Sequence, residues 1–180
     1  MANVKNPSKV VTGKVRFSFV HVFEPVAVGD DENNKKYSVS ILIPKSDTAT
    51  LAKIKAAIQA AAEAGVNVLG GKVPKGMKTP LRDGDEERDD EVYAGHMFMT
   101  ANTVERPGVV DADLQPILDR NEFYSGCYGR ASITFYAFNK AGNKGIACSL
   151  NNLQKLEDGD RLGGSRASAE EDFGDNDDLS

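Results

Sequence analysis

Residues 126–138, GCYGRASITFYAF, change character from each position to the next, the period of two that an extended strand with unlike faces produces. The odd positions Cys127, Gly129, Ala131, Ile133, Phe135 and Ala137 are small or apolar, and the even positions are Tyr128, Arg130, Ser132, Thr134 and Tyr136. NKAGNK at 139–144 has turn chemistry, and KGIACSLNNLQKL returns with Ile146, Cys148 and Leu150 on one face. A chain organised around such a hairpin has to bury one face of an antiparallel sheet. With the turn centred near Ala141 and Gly142, Cys148 lies opposite Phe135, roughly 26 Å along the strand from Cys127 at about 3.3 Å per residue. No disulfide spans that distance, so both cysteines are expected as free thiols.

Other segments repeat the period. In residues 9–23, KVVTGKVRFSFVHVF, the side chains Val15, Phe17, Phe19 and Phe23 share one face and Lys14, Arg16 and Ser18 the other. In residues 36–43, Tyr37, Val39, Ile41 and Ile43 oppose Lys36, Ser38 and Ser40, and Pro44 ends the run. PVAVGDDENNKK between them reads as a mobile loop with a basic end at Lys35 and Lys36. The period then becomes helical: Leu51, Ile54, Ile58, Ala61 and Ala62 predict an amphipathic helix over about 48–64, capped by Ser46 or Asp47 and ended by a left-handed Gly65. Residues 65–95 lose periodicity. A strand returns at 96–103, where Met97, Met99 and Ala101 alternate with Phe98, Thr100 and Asn102, and beyond it Pro107 and Pro116 disfavour long regular elements. The pattern predicts a mainly β chain with one principal helix, best fitted by a five-stranded antiparallel barrel of the oligonucleotide-binding (OB) type with long loops. The helix comes after the second strand, whereas the usual order places it after the third.

Composition sets the limits. Of 180 residues, 40% are hydrophobic, enough for one core and too many for a wholly disordered chain to be expected. No run approaches a membrane span, and MANVKNPSK lacks a secretory core, so a cytoplasmic protein without membrane partners is expected. Residues 157–180 hold nine acids and two bases, which leaves the first 156 residues with 20 bases and 18 acids. Hence the domain expectation is a mildly basic body, 1–156, and a disordered acidic tail, 157–180.

The outward faces carry the functional signal. Tyr128, Arg130 and Tyr136 share one strand, Lys14 and Arg16 stand on another, Phe98 on a third, and Lys35 and Lys36 flank the first loop. Unpaired bases stack on such rings for about 1–3 kcal/mol each, and phosphates pair with Lys or Arg regardless of sequence. Cross-strand aromatic packing is the alternative use of the same rings. The run RDGDEERDDE, with Asp83, Asp85, Glu86, Asp89, Asp90 and Glu91, invites a metal-dependent nuclease, but contiguous loop carboxylates do not converge as magnesium requires. His21 and His96 stand far apart without CxxC or HxxxH spacing, Gly70, Gly71 and Lys72 lack phosphate-loop spacing, and no nucleophile motif appears. No cofactor, no metal and no catalytic residue is therefore expected.

YSGCYGRASITFYAFNKAGNKGIACSLNNLQKLEDGDRLGG at 124–164, with TPLRDGD at 79–85, GKVRFSFVHVFEP at 13–25 and KYSVSILIPKSD at 36–47, resembles the tailed-phage single-stranded DNA-binding protein family over about residues 10–175. The resemblance implies an OB barrel with added helix and loops, encoded by a phage, that binds single-stranded DNA without sequence preference during replication or recombination in a bacterial host. The acidic end, with Asp172, Phe173, Asp175, Asp177 and Asp178, is similar in kind to tails through which replicative single-strand binders recruit replication or recombination proteins. It departs from the familiar bacterial tail, since Phe173 lies seven residues from the end and Ser180 comes after Leu179. The tail is also expected to compete with DNA for the basic face. A non-enzymatic protein-interaction module is the competing class, self-association remains open, and a nuclease ranks third.

Overall fold

The computed structural model describes residues 7–28, 31–74, 77, 79–88, 90–140 and 142–162. In chain order the elements are β1 (Lys9–Val11), β2 (Val15–Val28), β3 (Asp31–Pro44), α1 (Thr48–Ala64), β4 (Arg82–Asp83), α2 (Gly84–Glu87), β5 (His96–Thr103), β6 (Gly108–Val110), β7 (Tyr128–Lys140) and β8 (Asn143–Glu157).

Five strands form a ring in the order β2, β3, β5, β8, β7 and back to β2, the arrangement of an OB barrel. Its seams are uneven. β7 and β8 pair along their length with Phe135 opposite Cys148, as the turn chemistry predicts. By contrast β5 meets β8 at Asn102↔Ser149 alone, and β2 meets β7 at Val15↔Gly129 and Arg16↔Tyr128. The β5 and β8 strands run parallel, as do β6 and β8, which corrects the all-antiparallel expectation. Phe17, Ile41, Met99, Ile133, Phe135 and Leu153 fill the barrel, and Cys127 and Cys148 are buried free thiols.

The helix lies where its period predicts. Asp47 accepts from the Thr50 N–H, a cap whose loss costs about 1 kcal/mol in typical helices. Ile54, Ala57, Ala61 and Ala62 bury one stripe. Gly65 ends α1 at φ −99°, not in the left-handed region. Its requirement is steric: an added Cβ would lie 2.4 Å from Ala137 Cβ, where the helix end meets β7.

Three strand expectations change. The single strand over 9–23 is interrupted at 12–14, because Thr12 Oγ1 accepts from the Ala131 N–H (3.0 Å) and the Gly13 N–H donates to Thr50 Oγ1 (3.0 Å), taking those groups out of the ladder. The segment expected as a loop is instead paired ribbon, with β2 running to Val28 and β3 starting at Asp31. Finally, between Ser18↔Ser40 and His21↔Ser38, β2 supplies Phe19 and Val20 against Val39 alone. This bulge reverses the facing of β2: Val22 enters the core, whereas Phe19, expected inside, stands 55% exposed at φ +47°.

Candidate nucleic-acid interface

The seam between β2 and β7 gathers charge around two rings. Lys14 Nζ and Arg16 Cζ lie 5.3 and 5.2 Å from the centroid of the Tyr128 ring. Beside it, Lys155 Nζ and Arg161 Cζ lie 5.3 and 4.4 Å from the centroid of Tyr124. Cation–ring contacts of this kind contribute roughly 0.5–1 kcal/mol at exposed sites, and here they also draw four cations to one place.

Local backbone chemistry builds the seam. The Gly126 N–H donates to Phe17 O (2.7 Å), the Phe17 N–H donates to Cys127 O (3.0 Å), and Arg16 Nε donates to Gly126 O (3.1 Å). Gly126 has φ +115°, and a Cβ there would sit 1.9 Å from Asp160 O. Only glycine lets the chain after β8 cross this point. Gly129 sits at a register shift where a Cβ would meet Gln154 O at 1.8 Å. The two glycines of GCYG are thus set by close backbone approach.

The chain from 157 to 162 crosses the seam in order, so the expected boundary of disorder at 157 gives way to folded contacts through Leu162. Arg16 Nη2 donates to Asp160 O (2.8 Å), and the Leu162 N–H donates to Ser125 O (2.9 Å). Tyr124 Oη lies 3.0 Å from both Asp158 Oδ1 and Gly159 O and accepts from the Gly159 N–H (3.2 Å). Glu157 pairs with Lys14 (2.5 Å) and Asp158 with Lys155 (2.6 Å). The Lys155 bond, then the Tyr124 bond, hold the Asp158 carboxyl below its ordinary range. For Lys155, burial is the largest influence and lowers the pKa, but the Asp158 bond and charge, with Tyr124 and Cys127, together raise it. Desolvation raises the Tyr124 phenol, so it stays a donor. Lys14 and Lys155 therefore carry internal counter-anions, while Arg16 and Arg161 donate to carbonyl oxygens, the latter to Asn121 O at 3.4 Å.

The residues singled out in the sequence divide into groups. Lys14, Arg16 and Tyr128 come together at the seam. Arg130 lies next along β7 and gives its Nε to Thr12 O (2.8 Å) while remaining exposed. Tyr136 is 43% exposed on the same face, roughly 26 Å from Tyr128 at about 3.3 Å per residue. Lys35 and Lys36 pair with Ala27 and Val26 along the ribbon. Phe98 is not a platform residue as it stands: it is 3% exposed, packed with Leu42 and edge-on to Tyr93 at 5.1 Å, and Arg88 lies over both rings. Asp172, Phe173, Asp175, Asp177 and Asp178 lie outside the described residues.

Tyr124, Lys155 and Arg161 escaped the strand alternation. A hairpin register without bulges places Lys155 opposite Tyr128, which was a usable signal; the observed partner is Gly129. Arg161 lies past the last strand and carries no periodic signal.

The acidic run, expected as a loop, begins with β4 and α2, and several of its carboxylates have partners within the protein. Lys45 binds Asp83 and Asp85, each at 2.7 Å, raising its own pKa and lowering both carboxyls chiefly through those bonds. Asp90 accepts from the Val92 N–H (3.0 Å), and Glu87 meets Arg82. Among the described residues no His, Cys, Asp and Glu group is placed to hold a metal, and no helix is long and apolar enough to cross a membrane.

An OB-type ring with cations gathered on aromatic rings at its surface defines a small β-barrel of the oligonucleotide-binding class. The chain belongs to the family described as Enterobacter phage Enc34, ssDNA-binding protein, whose profile matches residues 8–180. Protein p50 of Acyrthosiphon pisum secondary endosymbiont phage 1 is 35% identical over 186 aligned residues, covering 96% of this chain and 94% of its own. The single-stranded DNA-binding protein of bacteriophage Enc34, solved in complex with ssDNA, superposes with a TM-score of 0.74 at 25% identity, over 91% of this chain and 97% of that one. Bacteriophage T7 gp2.5, a single-stranded DNA-binding protein, shares the fold at a TM-score of 0.59 and 13% identity, over 89% of this chain and 97% of its own.

Proposed function

We propose that this chain binds single-stranded DNA without sequence preference and coats it during phage DNA replication or recombination in the cytoplasm of the bacterial host, and that it catalyses no reaction. The observation that carries the reading is the seam itself, where Lys14, Arg16, Lys155 and Arg161 converge on Tyr124 and Tyr128 in a chain of this family. Cations held at ring faces meet successive phosphates, and no arrangement of base-reading donors is needed for such binding. Arg130, Lys35 and Lys36 extend the basic path, and Tyr136 offers a second ring along β7. Residues 163–180, including Asp172 and Phe173, are assigned to docking of replication or recombination proteins and to competition with DNA.

A mobility-shift experiment with labelled single-stranded and duplex oligonucleotides, with and without magnesium, tests the reading. Retention of the single strand, uncut in magnesium, supports it. Absence of binding favours a protein-interaction module, and magnesium-dependent cutting favours a nuclease.

A further inference from the structure

The geometry points to Phe19 as a base-stacking residue, presented to single-stranded DNA by the bulge in β2; this rests on the single-strand-binding reading above. Phe19 is a large aromatic residue more than half exposed, at 55%, and it is also one of two described non-glycine residues with positive φ, at +47°. Each feature opposes stability. A bulky side chain is an uncommon occupant of the left-handed region, and such outliers persist where surrounding structure holds them, often at functional positions. The surroundings here do hold it. Ser18↔Ser40 and His21↔Ser38 pin β2 on either side of the bulge, and the Val20 N–H donates to Ser125 Oγ at 3.1 Å.

Those same bonds place the ring beside the cationic seam. Phe17 exchanges backbone bonds with Gly126 and Cys127, and Val20 is tied to Ser125, so residues 16–20 lie alongside 124–127, the segment that carries Tyr124. Arg16 is three residues before Phe19, about 10 Å along the strand at 3.3 Å per residue, the reach of a nucleotide or two. Without the bulge, alternation would put Phe19 in the core with Val15 and Phe17, and no ring would stand on this stretch of β2. The extra residue turns a core position into an exposed π face next to the phosphate-binding cations. Its ligand is an unpaired nucleobase of any identity, since every base has a face to stack.

The chain contains no tryptophan, so F19W introduces a single reporter at this position. Saturating oligo-dT should quench and shift its emission, whereas an indole introduced by V104W, on the loop after β5, serves as the unstacked control. F19A and F19L should both weaken oligo-dT binding by about tenfold or more, the leucine because it keeps apolar area but loses the π face. F19G, which accepts positive φ freely, should melt no lower than F19A yet bind equally weakly, separating the ring from the backbone conformation. Unchanged F19W emission at saturation, or F19A and F19L binding within about twofold of the parent, overturns the assignment. If the parent itself fails to bind oligo-dT, the single-strand-binding reading has failed first, an outcome visible before any variant is compared.

Discussion

The internal ion pairs at the seam make a quantitative prediction about salt. Each phosphate neutralised on a single strand contributes about −0.7 to the slope of log K against log salt. In the parent, Lys14 and Lys155 already face Glu157 and Asp158, so exchanging a carboxylate for a phosphate changes little there. Only Arg16 and Arg161 add net neutralisation, and the cluster should contribute about −1.4. In the double variant E157Q/D158N all four cations are available and the contribution becomes about −2.8. The side chains of Glu157 and Asp158 are 55% and 79% exposed, and an amide still accepts from Tyr124, so the fold should be retained, because exposed ion pairs add little to stability. Fluorescence anisotropy with labelled oligo-dT should show tighter binding by the variant, with an advantage about sevenfold larger at 50 mM than at 200 mM salt. A thermal melt confirms the fold. Equal slopes for parent and variant would refute the placement of phosphates on this cluster, whatever the affinity.

Other expectations concern the body and its ends. Deleting 163–180 should leave the melting temperature unchanged, whereas deleting 157–180 removes the Leu162 to Ser125 and Arg16 to Asp160 bonds and should cost about 2 kcal/mol, or roughly 4–8 °C; equal melting temperatures would return 157–162 to the tail. The Asp83 and Asp85 pKa values are lowered by Lys45, so their contribution is complete above the ordinary carboxylate range, about pH 4, and is lost as pH falls through the depressed values. Lys45 is raised, so its contribution is complete below the ordinary lysine value and lost as pH rises through the raised one. D83N/D85N should therefore flatten the acid limb of the melting curve while DNA stays bound and uncut in magnesium or manganese; an unaltered acid limb would show that the pair carries no linkage. Burial raises the pKa of both Cys127 and Cys148, so iodoacetamide at mildly alkaline pH should label neither in the folded protein and both in urea; labelling of the native state would contradict their placement.

Local pattern by itself determined the hairpin register at Phe135 and Cys148, the burial of Gly129, Ala131, Ile133 and Phe135 on β7, and the helix at 48–64, because each arises from local period, capping and turn chemistry. It also brought Lys14, Arg16 and Tyr128 forward as surface residues of facing strands. The tertiary structure decided where parity broke. The β2 bulge sends Phe19 outward and Val22 inward, and no residue in KVVTGKVRFSFVHVF marks it, since it depends on which groups β3 and Ser125 offer as partners. Phe98 stands on the outward parity of β5, yet Leu42 and Tyr93 cover it, and that depends on the path of a loop with no period. Tyr124, Lys155 and Arg161 became neighbours only when the chain after β8 crossed Gly126. Period two assigns a side chain to a face, whereas bulges, loop cover and close backbone approach are long-range packing outcomes, and these settled which face residues reach solvent together.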